Sequence, residues 1–313
     1  MTRSTIAALL TLSVAACDPT GLGRSNPSFL VIGHRGAPNI VCENTMASFQ
    51  VAAALGASAI ETDICITADR DLVIWHDRDP DDTIAVARQS GAEGLLCKPY
   101  VPPTGSSWRR AVETLTVAEL RSHYGYGPLE SGRDPTAVIP RLVDLLDWLR
   151  TTESIRAVYL DLKFTTAELP AAIAVLHMVA GDGIPDPTLA HVTFYLLNVH
   201  SEIVRGLEDE RVRMGTDAAH IVWDFEGAGA LAATRSMGLR DVCMGLTPSR
   251  PWNAFKIELA DAIDARAAGL VDSVTVWTFD REMQLDELLY YSVDGVMTNE
   301  AALLHRLWLD SLN

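Results

Sequence analysis

Seven polar residues fall at the ends of three short apolar runs and of one hairpin, in a mix suited to phosphoryl chemistry. Gly33-His34-Arg35-Gly36 follows Leu30-Val31-Ile32, Glu61-Thr62-Asp63 follows Ala59-Ile60, and Asp161-Leu162-Lys163 follows Val158-Tyr159-Leu160. Residues two apart on a strand share a face, so Glu61 with Asp63, and Asp161 with Lys163, point the same way. Two carboxylates at one strand tip are costly against a packed core unless a cation compensates them. Glu61, Asp63 and Asp161 are therefore candidate oxygen ligands for one hard divalent ion, Mg²⁺ or Ca²⁺, and their chemistry does not choose between the two. Arg35 and Lys163 are the cations expected around a phosphate. His34 and His76 make a natural acid–base pair for cleaving a P–O bond near neutral pH. Each residue alone has a plainer reading: a hydrogen-bonded structural imidazole, a salt-bridged rim, Lys163 simply paired with Asp161. Their coincidence at one end of one fold favours the chemical reading.

The elements that must position them alternate. Strands are predicted at 30–33, 59–64, 158–163, 192–197, 211–215, 241–245, 273–278 and 294–297, with helices between most of them, such as 45–55, 167–179, 258–268 and 281–290. That alternation argues for a parallel sheet, and eight strands suit closure into a (β/α)8 barrel, whose functional groups sit at the C-terminal strand ends. An open doubly wound sheet is the alternative, but no Gly-x-Gly-x-x-Gly follows a strand. The run 72–76 follows the 59–64 strand too closely for a parallel crossover, so it must fold back as a hairpin, bringing His76 roughly opposite Asp63. Residues 77–140 are long and rich in Pro, Gly and Ser, and are expected to cap the C-terminal mouth. Within them Thr116-Val117-Ala118-Glu119 has capping-box spacing. Glu43 is expected to order the first βα loop, and Asn44 to cap the helix after it.

Arg3, the apolar stretch 6–16 and Val14-Ala15-Ala16 read as an export leader, too short to span a bilayer. Val14-Ala15-Ala16-Cys17 resembles a bacterial lipobox, which implies cleavage before Cys17 and lipid on its thiol; an ordinary leader cut after Ala16 is the alternative. The expected organisation is a leader at 1–16, a lipidated Cys17 with a tether to 28, and one domain at 29–313, on an exported, membrane-anchored protein, or a secreted one if Cys17 stays bare. The remaining cysteines, Cys42, Cys65, Cys97 and Cys243, match no zinc spacing, and export permits disulfides. Their pairing stays open, although Cys42 and Cys65 flank the proposed site. Basic residues number 25 against 41 acidic ones, a net charge of -16 that repels nucleic acid.

The same residues carry a family resemblance. Gly33-His34-Arg35-Gly36, Glu43-Asn44-Thr45, Ile60-Glu61-Thr62-Asp63, Val73-Ile74-Trp75-His76-Asp77, Ile139-Pro140-Arg141-Leu142, Leu160-Asp161-Leu162-Lys163, Val276-Trp277-Thr278 and Asp294-Gly295-Val296-Met297-Thr298-Asn299 together resemble a glycerophosphodiester phosphodiesterase. The resemblance implies metal binding by Glu61, Asp63 and Asp161, His34 and His76 as base and acid, Arg35 and Lys163 on the phosphate, and Trp277 against the glycerol or leaving group. It implies hydrolysis of a small or lipid-derived phosphodiester to glycerol 3-phosphate and an alcohol, through a cyclic phosphate formed by the glycerol 2-hydroxyl. Asp161 stands where that family usually has glutamate, so this ligand is one methylene shorter. The Asp161-Leu162-Lys163 and Thr298-Asn299 pattern is nearer the sphingomyelinase D-like phospholipases, which makes cleavage of lysophospholipid or sphingolipid headgroups the second reading. A non-catalytic lipoprotein scaffold is the third. The preferred alcohol has no readable code.

Overall fold

The computed structural model describes residues 28–130, 132–181, 186–225, 227–247 and 250–312. The leader, Cys17 and the tether up to residue 27 lie outside the described residues. Strand β1 (Leu30–His34) leads to helix α1 (Met46–Ala54), and β2 (Ala59–Ile66) turns back through β3 (Leu72–Ile74). The insertion then supplies α2 (Thr83–Gln89), β4 (Cys97–Tyr100), α3 (Val117–His123) and β5 (Gly125–Pro128), after which α4 (Leu142–Leu149) returns the chain to β6 (Ala157–Leu162). From there the alternation is regular: α5 (Leu169–Ala180), β7 (Thr193–Asn198), α6 (Ser201–Met214), β8 (Ala219–Trp223), α7 (Ala230–Ser236), β9 (Asp241–Gly245), α8 (Trp252–Ala267), β10 (Ser273–Trp277), α9 (Glu282–Tyr290), β11 (Gly295–Thr298) and α10 (Ala301–Ser311).

Eight of the described strands run parallel in the order β8-β7-β6-β2-β1-β11-β10-β9. The ladder nearly closes on itself: between β8 and β9 the link is a single parallel bridge from Phe225 to Met244. This is the expected (β/α)8 barrel. Every residue of β2 is buried, as a strand needs when the barrel interior covers one face and helices the other. Ile32, Ala59, Ala157, Tyr159, Leu197, Val222, Cys243 and Met297 fill the interior. The helices seal the outside with periodic apolar stripes; in α4 Leu142, Leu145, Leu146 and Leu149 fall at i, i+3, i+4 and i+7 and are all buried.

One expected strand is not one. Residues 211–215 form the last turn of α6, where Gly215 at φ 64° supplies a left-handed cap, and the strand follows at β8. The helix is held by buried Ile203, Val204 and Leu207 and by i,i+3 pairs of Arg211 with Glu208 and of Arg213 with Glu210. The short apolar content of its C-terminal turn imitates a strand.

The hairpin forms as expected, with Ile64, Cys65 and Ile66 opposite Ile74, Val73 and Leu72. Trp75 N–H donates to the Asp63 carbonyl at 3.0 Å, so His76 follows one residue beyond Asp63. Much of the insertion packs on this hairpin around Val73, Trp75, Leu120, Tyr124 and Tyr126, while α2 walls one side of the barrel mouth. The predicted capping box at Thr116 and Glu119 starts α3. Cys42 is bonded to Cys97, joining the first βα loop to β4 across 55 residues, so no Cys42–Cys65 bridge exists. Cys65 is a buried free thiol whose Sγ donates to the Trp75 carbonyl. Closing a loop of that length removes about 4 kcal/mol of unfolded-chain entropy. Replacing both Cys42 and Cys97 by Ser should lower stability by an amount of that order in urea titrations, and an unchanged midpoint would show that the bridge does not constrain the chain.

Candidate active site

The tip of β1 is built to turn sharply. A Cβ on Gly33 would meet the Gly36 carbonyl oxygen at 2.5 Å, and Gly36 sits at φ 91° with α1 directly beneath it. Ser48 of α1 ties the turn, donating from Oγ to the Arg35 carbonyl at 3.0 Å and accepting from Ala37 N–H at 2.8 Å. Arg35 and Asn44 are both held at φ 53°, a conformation unfavourable for side-chain-bearing residues that the surrounding bonds enforce. Arg35 N–H donates to Glu61 Oε2 at 3.0 Å. Asn44 donates from Nδ2 to Asp63 Oδ2 at 2.7 Å and accepts from Thr62 Oγ1 at 2.8 Å. Asn44 is thus not the helix cap; Thr45 is, accepting from Ser48 N–H at 3.1 Å.

The carboxylates converge as expected. Asp63 on β2 is in register with Asp161 on β6. One oxygen from each of Glu61, Asp63 and Asp161 lies within 4.8 Å of the others. Lys163 Nζ bonds Asp161 and lies 3.1 Å from Asp63 Oδ1. Arg35 places Nε 3.2 Å from Asp63 Oδ2, and its Nη1 donates to Glu43 Oε2 at 2.9 Å and to Glu93 Oε1 at 3.2 Å. Glu43 therefore orders this loop, as the sequence implied.

Both imidazoles face the same cavity. His34 Nδ1 lies 2.8 Å from Asn299 Oδ1 and its Nε2 3.8 Å from Glu61 Oε2, while Asn299 is itself held by Asp280. His76 Nδ1 lies 2.6 Å from Asp77 Oδ1, and Arg88 of α2 donates from Nε to that same oxygen at 2.8 Å. His34, Arg35, Glu61, Asp63, His76, Asp161, Lys163 and Trp277 all line one cavity of about 120 Å³. A groove of about 540 Å³ leads off it past His76, Asp161 and Lys163 toward Ile84, Phe164, Val199 and His200. Trp277 is clamped against Gly245, where a Cβ would meet its ring at 2.5 Å, so the indole is both barrel packing and cavity wall. A larger depression of about 810 Å³ between α7 and α8 offers the Arg250–Glu258 pair but no convergent acid–base set.

Charge in this cavity is unevenly distributed. Burial, then the neighbouring Asp63 carboxylate, hold Glu61 well above the usual carboxylate range. Burial pushes Asp63 the same way, but Lys163, His76 and Arg35 override it and hold Asp63 well below its ordinary value. Burial opposes the Lys163 charge, yet Asp161 and Asp63 raise its pKa. Burial, then Arg35, lower His34 to about 4, so its imidazole is neutral at physiological pH. Burial pushes Asp77 up to about 6 against the pull of Arg88. The donor set fits a hard divalent ion: Glu61 and Asp63 are buried and Asp161 partly so, and burial followed by the Asp63 carboxylate raises the Glu61 pKa, which a cation beside it would offset.

Four contributors were not foreseen. Asp224, at the end of β8, adds a fourth carboxylate to the cavity wall, and placing a strand at 211–215 hid that strand end. Asp77 was visible beside His76 without a role. Arg88 and Glu93 lie in the insertion, where no sequence spacing connects them to the barrel.

The family model for the glycerophosphoryl diester phosphodiesterase family matches residues 34–169, a span that holds His34, Arg35, Glu61, Asp63, His76, Asp161 and Lys163. A Macaca fascicularis protein named glycerophosphodiester phosphodiesterase domain-containing protein 4 is 34% identical over 128 residues, which are 38% of this chain and 20% of that protein. The chain thus spans about a fifth of the length of that relative. A Mycobacterium tuberculosis protein named Probable glycerophosphodiester phosphodiesterase 2 is 28% identical over 292 residues, covering 88% of this chain and 89% of that protein. Among solved structures, an Oleispira antarctica phosphodiesterase in complex with the product sn-glycerol-3-phosphate has a TM-score of 0.63 at 16% identity, covering 89% of this chain and 96% of that one, a likeness of fold. Its strand-end residues and the match over residues 34–169 make this chain similar to the glycerophosphoryl diester phosphodiesterase family across that span, and the solved structure shares its barrel fold.

Proposed function

We propose that this protein hydrolyses glycerophosphodiesters to glycerol 3-phosphate and an alcohol, using His34 and His76 as acid–base residues. The observation that carries this reading is the meeting of seven residues from β1, β2, β6 and the hairpin around one cavity, with three carboxylates on one side and an imidazole on each flank. The product named with the Oleispira antarctica structure is the one this reading assigns to the present chain. Glu61, Asp63 and Asp161 would hold one divalent ion, Mg²⁺ or Ca²⁺, which when bound would neutralise charge on a phosphoryl oxygen. Arg35 and Lys163 keep N–H donors beyond those their carboxylates occupy, and these would orient the phosphate.

His34, neutral in the buried cavity, takes the proton of the glycerol 2-hydroxyl as its oxygen bonds to phosphorus. His76, with Nδ1 turned to Asp77, presents Nε2 to the cavity. Burial, then Arg35 and Lys163, lower its pKa, and the negative charge of a bound phosphodiester would let Nε2 take up the proton that it gives to the departing alcohol oxygen as its bond to phosphorus breaks. Water then opens the five-membered cyclic phosphate with the two roles exchanged. Trp277 supplies an apolar wall against the glycerol or leaving group. The lipobox-like leader supports export, to the outer face of a membrane if Cys17 is lipidated and as a secreted protein if it is not, and the Cys42–Cys97 disulfide suits an oxidising compartment. No described helix is long and apolar enough to cross a membrane.

His34→Ala and His76→Ala should each lower kcat by about 10²-fold or more while circular dichroism stays unchanged. Near-normal turnover in either variant would remove that imidazole from the mechanism. EDTA should abolish activity and Mg²⁺ or Ca²⁺ restore it, whereas full activity in chelator would exclude the metal. Phosphorus NMR of products from glycerophosphocholine should show glycerol 3-phosphate. Turnover confined to lysophosphatidylcholine or a sphingolipid would replace this reading with the phospholipase D-like one.

A further inference from the structure

We propose that Arg88 is a positioning residue, setting the His76 acid and the Arg35 phosphate clamp from helix α2 without touching the cavity itself. The proposal rests on the catalytic reading above for its consequence, though not for its geometry. Arg88 is 2% exposed, and it lines neither the catalytic cavity nor the adjoining groove. Its three nitrogens each have a different partner. Nε donates to Asp77 Oδ1 at 2.8 Å, Nη2 donates to Glu43 Oε1, and Nη1 donates to Glu93 Oε2.

Each of those contacts leads onward to the site. Asp77 Oδ1, the oxygen that Arg88 pins, is also the one 2.6 Å from His76 Nδ1. Glu43 and Glu93 each use their second oxygen on Arg35, at 2.9 and 3.2 Å. Two carboxylates thus bridge two guanidiniums, and a third carboxylate ties the pair to the imidazole. Arg35 is additionally confined by its φ of 53°, so its guanidinium has few ways to relax if Glu43 turns. A planar fork with fixed donor directions can satisfy three acids at once, and a lysine ammonium on one flexible stem cannot reproduce that geometry. Buried guanidinium and carboxylate groups left without partners would reorganise rather than stay in place. The seating of α2, an element outside the barrel, is thereby coupled to the alignment of two groups inside it.

The test uses Arg88→Ala and Arg88→Lys in the full chain, with two readouts. Steady-state turnover of glycerophosphocholine should show kcat lowered by about 100-fold in Arg88→Ala and by at least about tenfold in Arg88→Lys, with KM altered less than about threefold. Millimolar guanidinium, well below denaturing concentration, should restore about tenfold of the Arg88→Ala loss and nothing in wild type. In ¹⁵N-histidine-labelled protein, the His76 imidazole signal, assigned by its disappearance in His76→Gln, should move in both variants while His177 and His220 stay fixed. Folded variants with wild-type kcat and an unmoved His76 signal would overturn the proposal, as would a loss that only follows the folded fraction and gains nothing from guanidinium. Should Arg88→Ala fail to fold, Arg88→Lys decides by the same criteria. The imidazole signal does not require turnover: wild type inactive on every diester would reject the catalytic reading, and His76 would still report on Arg88.

Discussion

Burying several like charges at one strand end is the constraint from which the rest of this structure follows. Glu61, Asp63 and Asp161 would repel one another in a low-dielectric cavity, and Asp63 is only 1% exposed. Its ionisation is sustained by Lys163 on one oxygen and by Arg35 and Asn44 on the other. Those partners must then be fixed in turn, which accounts for the left-handed backbone at Arg35 and Asn44 and for the glycines around the β1 turn. Glu43, Glu93, Arg88 and Asp77 form the next layer of the same charge balance. Burial and the Asp63 carboxylate raise the Glu61 pKa, so additional positive charge beside it would be stabilised.

The geometry also relieves a tension in the sequence. A shorter acid at Asp161 reaches less far into the cavity, yet strand register sets it directly across from Asp63, and Lys163 holds its carboxylate in place. The wider consequence is an asymmetric mouth. One side is closed by Trp277, Met297 and the other barrel strands, and the other opens into the groove beside α2. The insertion, stapled to the first βα loop by Cys42 and Cys97, is therefore part of the site's support.

Much of this was legible because barrel strands announce themselves twice, as apolar runs and as polar residues at their ends. His34, Arg35, Glu61, Asp63, Asp161 and Lys163 could be placed from spacing alone, and the short 67–71 turn forced the hairpin that delivers His76. What stayed hidden depended on contacts between distant segments. Asn44 looks like a helix cap because Asn favours that position, but the Asp63 carboxylate competes for its amide. The last turn of α6 carries enough apolar character to pass for a strand, and accepting it concealed β8 and Asp224. The Cys42–Cys97 pairing and the Arg88 network join residues 55 and 45 apart, separations at which local pattern has no bearing.

The central claim is that these side chains form one binding site for a divalent ion and a glycerol phosphate at the C-terminal end of the barrel. A crystal structure of the protein grown with Ca²⁺ and glycerol 3-phosphate tests it most directly. Anomalous density should place the ion among Glu61, Asp63 and Asp161, with the phosphate against Arg35 and Lys163 and between His34 and His76. Ion or phosphate bound elsewhere, or a cavity that stays closed by the Lys163 and Arg35 ion pairs at saturating ligand, would contradict it.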